Sequence, residues 1–404
     1  MVQGNATLIL DLGNSETRGR VQYGRDGNGV IRERAFTLSN RFQIVDPDYK
    51  VIGDYSPETS TVFDIDAVVD DKRQIGRWVN GEIQEKEFFT GVLKPSAIDK
   101  KYKTLTTALT YHVAIFRALK EIAHIEGISD LTQLDITWTV VLLLPAGDLT
   151  AGKSVLEDLI RSVKKVSCSF PEFSAPIKVN AVHVLPEGFC AYMAVLFDRG
   201  NVIRKSYEYL AEKETTLVID IGAGTSDLIV IEGLHSLNST MTTINFGGNN
   251  VTAKVKTKLM ETYNIRPTDA NMTEAMTTCT IRDGARYIDI SDYINKAKSE
   301  VARSIVGDII TFFEDTSFPI KNISRILVCG GGSLSGGDNT KVKPMSDIVV
   351  EAFKQRSSYV EMIELPEVVT LVPDKDGVTS KVKTRLNPRE LNIIGASILA
   401  EKWS

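Results

Sequence analysis

The sequence predicts an α/β protein made of two related domains. Three apolar runs, at 6–12, 215–221 and 323–329, each lead into a glycine turn, as strands buried on both faces often do. Segments with helical spacing of apolar residues lie between them. The unit LILDLGNSETRGRVQ, within 7–23, recurs as LVIDIGAGTSDLIVI within 216–232. This spacing is far too long for a solenoid repeat, so it indicates two domains that each present the same loop.

The first half of the chain begins with strands that are separated by glycine turns. The pattern loosens from 40 to 96, which we interpret as a small subdomain or insertion. Gly127 is placed to stop a helix and Pro145 to end a strand. The predicted elements are strands at 6–12, 18–23, 31–38, 135–144 and 178–185, and helices at 104–126, 152–166 and 186–197.

The second half repeats this succession of buried strands and helices. We predict strands at 215–221, 228–232, 242–246 and 323–329, and helices at 250–263, 290–314 and 389–402. The chain is accordingly divided into a first domain at 1–184, with an insertion at about 40–100, and a second domain at 185–388, with a subdomain at about 250–320. The C-terminal helix within 389–404 is expected to pack back on the first domain.

The composition is that of an ordinary globular protein and excludes several classes. Hydrophobic residues make up 43% and charged residues 25%, which argues against disorder and fibrous structure. The formal charge of -5 is too balanced for a protein that wraps nucleic acid or lies on a membrane surface. The cysteines form no CxxC pair, which argues against zinc. We expect a cytoplasmic protein, because neither a signal peptide nor an apolar run of about 18 residues is found.

The turn after Asp11 has the residue types of a phosphate-binding loop. An acid at the end of a buried strand is costly without a partner, and a hydrated Mg²⁺ is a suitable one. Gly13 allows a tight turn, after which the amides of Asn14, Ser15 and the following residues can point at phosphate oxygens. We expect Arg18 to add a cation close to the phosphates.

Two further loops complete the pattern. The segment 220–227, which begins with Asp220, has the same chemistry as the first loop with an additional glycine. Each loop alone is a weak signal, but two copies at corresponding places imply a nucleotide held between two domains. The glycines at 330–332 directly follow the strand at 323–329, and their bare backbone would let a base or ribose lie against it.

A competing motif lies at 147–154, where GDLTAGKS matches GxxxxGK[ST] between a strand and a helix. The strand that ends at Asp220 could then supply the acid that such nucleotide-binding proteins use for Mg²⁺. Against this interpretation, Asp148 would place a carboxylate inside a loop that should bind anions. It also leaves both the repeated unit and the three glycines unexplained.

Taken together, these segments resemble the actin superfamily of ATPases. The resemblance covers nearly the whole chain through the first phosphate loop at 11–17, the first connecting helix at 185–191, the second phosphate loop at 220–227, the adenosine loop at 329–333 and the second connecting helix at 392–396. It implies two actin-like (ribonuclease H-like) domains with the nucleotide in the cleft between them.

The resemblance also implies a role for individual residues. Asp11 would hold Mg²⁺ through water, and Asp220 would lie beside the metal and the attacking water. The residues implied to bind the nucleotide are Gly13, Asn14, Ser15, Thr17 and Arg18 in the first loop, Gly222, Gly224 and Thr225 in the second, and Gly331, Gly332 and Ser333 around the adenosine.

Asp148 is the candidate for activating the attacking water. It follows a buried strand in the segment that, in the superfamily, carries the water-activating side chain. The alternative role is that of a helix N-cap. The implied reaction is attack of water on the γ-phosphate of ATP or GTP, with positioning and charge stabilisation supplying most of the rate.

Within the superfamily, the opening DLGNSETR, the turn INFGGNNVT at 244–252 and the total size look most like the ParM/StbA-type plasmid segregation proteins. Those proteins polymerise with nucleotide and depolymerise after hydrolysis. The likeness implies self-association into filaments and an adaptor protein on centromere-like DNA, without direct DNA or membrane binding. Segments 336–344 and 374–384 look like additions. A kinase of the same fold, or a non-polymerising ATPase that works on a partner, remains as the alternative.

Overall fold

The chain divides into two compact units. The computed structural model describes residues 2–14, 16–88, 91–95, 100–212, 214–334, 341–356, 359–373 and 379–404. The first unit comprises Met1–Leu144, Asp148–Pro186 and Ala396–Ser404, and the second comprises Pro145–Gly147 and Glu187–Gly395. Residues 145–147 and the first half of the C-terminal helix group with the second unit.

The first unit contains two sheets. Its strands are β1 (Val2–Leu12), β2 (Glu16–Arg25), β3 (Ile31–Ser39), β4 (Phe42–Val45), β5 (Ser60–Val69), β6 (Lys72–Gly81), β7 (Leu134–Leu144), β8 (Lys165–Phe170), β9 (Glu172–Pro176) and β10 (Lys178–Pro186). Its helices are α1 (Glu82–Glu87), α2 (Leu105–Glu126) and α3 (Leu149–Ser162). The central sheet has the order β10-β7-β1-β2-β3, and the second sheet has the order β4-β6-β5-β8-β9.

Helix α2 joins the two sheets of this unit into one hydrophobic core. Leu109, Phe116 and Ile122 are fully buried and belong to the same apolar cluster as Leu8 of the central sheet and Phe63 of the second sheet. Complete burial explains why the helix carries apolar residues around most of its circumference. The predicted helix end is confirmed, since Gly127 has the left-handed conformation at φ 65°.

The end of the chain packs on the central sheet of the first unit. Gln22 of β2 donates from Nε2 to the main-chain oxygen of Ser397 at 2.8 Å. The Trp403 ring stacks on His183 of β10 with centroids 3.9 Å apart. Together these contacts fix the last residues to β2 and β10.

The second unit contains the remaining elements. Its helices are α4 (Glu187–Leu196), α5 (Glu208–Glu212), α6 (Gly248–Tyr263), α7 (Asp269–Thr278), α8 (Ser291–Asp315) and α9 (Met345–Lys354), together with the first half of α10 (Leu391–Ala400). Its strands are β11 (Phe197–Asp198), β12 (Val202–Ile203), β13 (Thr215–Ile221), β14 (Ser226–Glu232), β15 (His235–Ser236), β16 (Thr242–Ile244), β17 (Thr280–Asp283), β18 (Arg286–Asp289), β19 (Arg325–Cys329), β20 (Glu361–Met362), β21 (Glu367–Pro373) and β22 (Thr379–Arg385).

The central sheets of the two units have the same strand arrangement. In the first unit β1 pairs antiparallel with β2 and parallel with β7, and β7 pairs parallel with β10. In the second unit β13 pairs antiparallel with β14 and parallel with β19, and β19 pairs parallel with β20. The sequence repeat therefore reflects a repeated fold, as predicted.

Two predictions about the first unit are wrong in part. The helix predicted at 152–166 begins earlier and ends at Ser162, because 165–170 alternates in burial and forms β8. The insertion predicted at about 40–100 does not form a sheet from its own strands alone. Strands β8 and β9, from later in the chain, complete that sheet beside β5. No helix among the described residues has the length and apolarity needed to span a bilayer.

A lysine lies in the core of the second unit. Lys298 of α8 is only 1% exposed and donates from Nζ to the main-chain oxygen of Lys343 at 2.7 Å. Burial lowers the pKa of this amine to about 8, and the nearby Cys279 thiol opposes the effect. Because the pKa in the folded state lies below the ordinary 10.5, the unfolded chain binds more protons between these values, and stability rises with pH across this window.

We therefore expect Lys298→Met to stabilise the protein near pH 7 by about 1 to 3 kcal/mol, since it removes a buried charge but leaves one carbonyl without its donor. Thermal unfolding measured from pH 7 to 10.5 should show this advantage shrinking as pH rises. Lys296→Met, at an exposed position of the same helix, is the control and should change little. A less stable Lys298→Met protein at pH 7 would contradict the expectation.

Candidate functional site

The first predicted phosphate loop joins β1 and β2. Asp11 is 9% exposed and lies directly opposite Arg18 in the strand register. Their side chains approach to 3.9 Å between Oδ2 and Nη1, and Arg18 also forms an ion pair with Glu16. The charge of Asp11 is thus compensated within its own hairpin. To reach a phosphate, Arg18 would have to exchange Glu16 for it.

A buried asparagine holds the first loop in place. Asn40 donates from Nδ2 to the main-chain oxygen of Gly13, and its Oδ1 accepts from Thr17 Oγ1 at 2.9 Å and Thr110 Oγ1 at 3.3 Å. Thr17 is fully buried, so it supports the loop from below. Gly13 has no room for a side chain, because a β-carbon there would meet the main-chain oxygen of Glu16.

Two further residues of the first loop were also assigned to phosphate binding. Asn14 is half-buried on the turn. Ser15, which the sequence also assigned to phosphate binding, lies outside the described residues. Its role stays a prediction.

Asp148 lies between β7 and α3 in the first unit and is 9% exposed. It occupies the N-cap position of α3, but its carboxylate makes no capping hydrogen bond in the described structure. Instead it accepts from Nζ of Lys100 at 2.5 Å. A side-chain cap by Asp148 is therefore not supported.

The competing GxxxxGK[ST] interpretation is not supported by the fold. Residues 149–154 belong to α3, so their amides do not form a phosphate-binding loop. Gly152 is buried within this helix, where a β-carbon would collide with the ring of Tyr102. This glycine is explained by close packing of the helix.

The second predicted phosphate loop joins β13 and β14. Its turn is closed by the Gly222 amide, which donates to the main-chain oxygen of Thr225 at 2.8 Å. The main-chain oxygens of Gly222 and Ala223 accept from the amides of Gly248 and Asn249, at 3.0 and 2.7 Å. The N-terminus of α6 therefore holds the carbonyl side of the loop. Gly224 and Thr225 are half-buried on the same turn.

Two buried acids face the same side of this hairpin. Asp220 and Asp227 are 4% and 5% exposed and lie directly opposite each other in the strand register. Opposite residues of an antiparallel pair project from the same face, where like charges are destabilising. Asp227 also accepts a hydrogen bond from Thr243 Oγ1. The corresponding position in the first unit is Arg18, so the two hairpins differ in charge at an equivalent place.

The predicted adenosine loop packs directly on the second phosphate loop. Gly330 has φ 85°, and a β-carbon on it would collide with Oδ1 of Asp220. A β-carbon on Gly332 would likewise meet the main-chain oxygens of Gly222 and Ile221. Bare backbone at these two positions is thus required for the two loops to meet.

The other residues of this loop have distinct environments. Ser333 is 1% exposed and donates from Oγ to the main-chain oxygen of Gly330 at 2.6 Å, so it stabilises the turn. Gly331 is half-buried and lies beside the side chain of Arg389. Among the predicted adenosine residues, Gly331 is the one with backbone open to a ligand.

Glycines allow close packing of the two predicted connecting helices. A β-carbon on Gly395 of α10 would collide with the main-chain oxygen of Cys190 in α4. Gly188 of α4 lies against Val218 and Ile229 of the sheet in the same way. The close approach of these elements explains why glycine is present at both positions.

Three residues at these loops were missed from the sequence. Asp227 could have been found from the repeat, because it lies seven residues after Asp220. Arg18 lies seven residues after Asp11, at the equivalent position of the first hairpin. Asn40 and Asn392 gave no local signal, because each contacts a loop that is distant in the sequence. The described residues contain no group of three or more His, Cys, Asp or Glu side chains that could hold a metal ion.

Comparison with known proteins confirms the predicted resemblance in fold. A family model described as archaeal actin homologue MreB-like, C-terminal, matches residues 218–341. A search of curated proteins finds no match.

Solved structures with the same fold cover the whole chain. The archaeal actin homologue Ta0583 in complex with ADP is 11% identical, with a TM-score of 0.59 over 99% of this chain and 100% of that one. ParM of Bacillus thuringiensis with AMPPNP is 14% identical, with a TM-score of 0.57 over 99% of each chain. A 15-stranded ParM filament from Clostridium botulinum is 14% identical, with a TM-score of 0.61 over 99% of each chain.

The acid pair of the second hairpin gives a direct prediction. Asp227→Asn should raise the melting temperature in magnesium-free buffer, because it relieves repulsion worth about 0.2 to 1 kcal/mol while its Oδ1 can still accept from Thr243. The matched control is Asp11→Asn in the first hairpin, which removes an attraction to Arg18 and should lower the melting temperature. Shifts of the same sign in both variants would contradict the charge argument.

Proposed function

Because the chain has the two-domain fold of the actin superfamily and resembles the ParM proteins, we propose that it is a magnesium-dependent nucleoside triphosphatase that forms filaments. The observation that carries this proposal is the repeated hairpin. Each unit has an acid near the end of a buried strand, followed by a turn at a glycine. A β-carbon on Gly13 would collide with the main-chain oxygen three residues further on, and one on Gly222 would press on the equivalent oxygen at 3.1 Å. Such turns form concave anion sites.

The phosphates are proposed to bind to these two turns. Gly13, Asn14 and Ser15 would contact them from the first unit, and Gly222, Gly224 and Thr225 from the second. Arg18 would add a cation to the first loop, and Thr17 would support it. The support for this assignment is local. Asn40 holds Gly13 of the first turn, and the start of α6 holds Gly222 and Ala223 of the second. These contacts would lower the cost of ordering those residues when a ligand binds.

A divalent cation fits the acids that end the two strands. Asp11 and Asp220 supply hard carboxylate oxygens, which are ligands that suit Mg²⁺. Mg²⁺ is usually held by one or two carboxylates, substrate phosphates and water. By the likeness to the actin superfamily, Asp11 would hold the ion through water and Asp220 would lie beside it. When bound, the ion would neutralise charge on the phosphate oxygens.

Hydrolysis would use Asp148 and Asp220. We propose that Asp148 orients a water molecule for attack on the γ-phosphate and accepts its proton, after exchanging Lys100 for that water. Asp220 would orient the same region from the second unit. A carboxylate contributes to such a step by placing water in line with the bond to be broken.

The base is proposed to lie against Gly331, with Gly332 and Ser333 shaping the turn beneath it. Relatives of the same fold were solved with the adenine nucleotides AMPPNP and ADP, which supports ATP as the nucleotide. Backbone contacts alone do not distinguish adenine from guanine, so GTP is the alternative to be tested.

Filament formation is proposed from the likeness to ParM, one relative of which is a 15-stranded filament. By the same likeness, the finer function would be segregation of plasmid or similar low-copy DNA. Polymers would be coupled to DNA by an adaptor protein on a centromere-like site. The formal charge of -5 agrees with contact through an adaptor instead of direct binding to DNA.

The experiment combines phosphate release with sedimentation and light scattering in ATP or GTP, with and without Mg²⁺. We expect the parent chain to form sedimenting polymer with nucleotide and to release phosphate. Absence of polymer with either nucleotide at high protein concentration would refute the filament proposal. Phosphate transfer that depends on an added sugar or small acid would instead support the kinase alternative.

Variants then separate the hydrolytic groups from the competing motif. Asp148→Asn should slow phosphate release by about 10²- to 10⁴-fold, because it removes the proton acceptor, while polymers persist longer. Lys153→Ala is the control, since Lys153 is exposed on α3 and should be dispensable. Loss of nucleotide binding in Lys153→Ala would instead revive the GxxxxGK[ST] interpretation.

A further inference from the structure

An asparagine from the far end of the chain holds the carboxylate of Asp220. Asn392, the second residue of α10, donates from Nδ2 to Oδ2 of Asp220. The two residues are 7% and 4% exposed, so this hydrogen bond is buried. An amide donor carries no net charge, so it orients the carboxylate without compensating its charge as an arginine or lysine would. The contact therefore fixes the direction of the Asp220 carboxylate.

The other end of the same amide is its carbonyl oxygen, Oδ1. Oδ1 of Asn392 is buried and finds no hydrogen-bond donor among the described residues. A buried polar atom left in this way costs about 1 to 3 kcal/mol. Such atoms are uncommon in native proteins, and each requires an explanation. Stability alone does not provide one here.

The two oxygens of Asp220 are constrained from different segments. Oδ2 accepts from Asn392, while Oδ1 lies so close to Gly330 that a β-carbon there would collide with it. Asp227 is the titratable group on the opposite strand, at the register position that faces Asp220. Rotation of the carboxylate away from this arrangement would break the bond to Asn392.

We propose that Asn392 is a positioning residue for hydrolysis, an inference that rests on the role proposed above for Asp220. Asn392 fixes the carboxylate of Asp220 in the orientation needed beside the metal and the attacking water. Its unpaired Oδ1 serves as an acceptor for a water molecule at the same site. The energetic cost of that unpaired atom is then explained by a ligand.

Asn392→Asp is the most informative variant, because it keeps the shape and places a second carboxylate against Asp220. The contact survives while the two acids share a proton, and they repel each other once both are ionised. We expect kcat at pH 8 to fall by about 10- to 100-fold and to recover as the pH is lowered toward 6, whereas KM changes by less than about threefold. The pH profile would thus gain a limb that the parent profile does not have.

Asn387→Asp is the matched control. It makes the same chemical change on the same segment, where the side chain accepts from the amide of Arg389 and an aspartate can do so equally. Its kcat and pH profile should equal those of the parent. If Asn392→Asp is too unstable to assay, Asn392→Ser should lower kcat by about tenfold without affecting nucleotide affinity.

A second readout needs no nucleotide. The melting temperature of Asn392→Asp relative to the parent should fall as the pH rises from 6 to 8, because the two acids then become ionised together. An active parent whose Asn392→Asp variant keeps the parental kcat and pH profile overturns the positioning role alone. A parent that hydrolyses neither ATP nor GTP refutes the proposed function and the role together, while an unchanged pH dependence of melting shows that the contact itself is wrong.

Discussion

Burial of a carboxylate at the end of a central strand is the constraint on which both predicted loops depend. Such a group needs a compensating partner, because a charge removed from water is costly. The first hairpin supplies Arg18 opposite Asp11. The second places Asp227 opposite Asp220 and offers an amide from Asn392. The same backbone register thus places an arginine opposite the acid in one hairpin and a second acid opposite it in the other.

The fold was largely predictable because its central strands are buried on both faces. Continuous apolar runs identified β1, β13 and β19, and glycine or proline at their ends fixed their limits to within a few residues. The repeated unit then predicted the common strand arrangement of the two units. Local signals were sufficient here, since each strand and turn is specified by adjacent residues.

Features that depend on distant contacts could not be predicted in the same way. The alternating segment that forms β8 pairs with β5, and nothing near 165–170 indicates that partner. Asn40 acts on a loop 27 residues away and Asn392 on an acid 172 residues away. A single asparagine in a loop or helix is compatible with many environments. Asp227 differs, because the register of its own hairpin is contained in the sequence.

Three glycines of the second unit shape the surroundings of Asp220. Gly330 and Gly332 bring the third loop against the second, where any side chain on them would collide with Asp220 or with the loop backbone. Gly395 brings α10 against α4, which sets the depth at which Asn392 enters from the same helix. Backbone contacts at these glycines therefore determine the position of the Asn392 side chain. Substitutions that move α10 should consequently alter the orientation of the Asp220 carboxylate, because Asn392 moves with the helix.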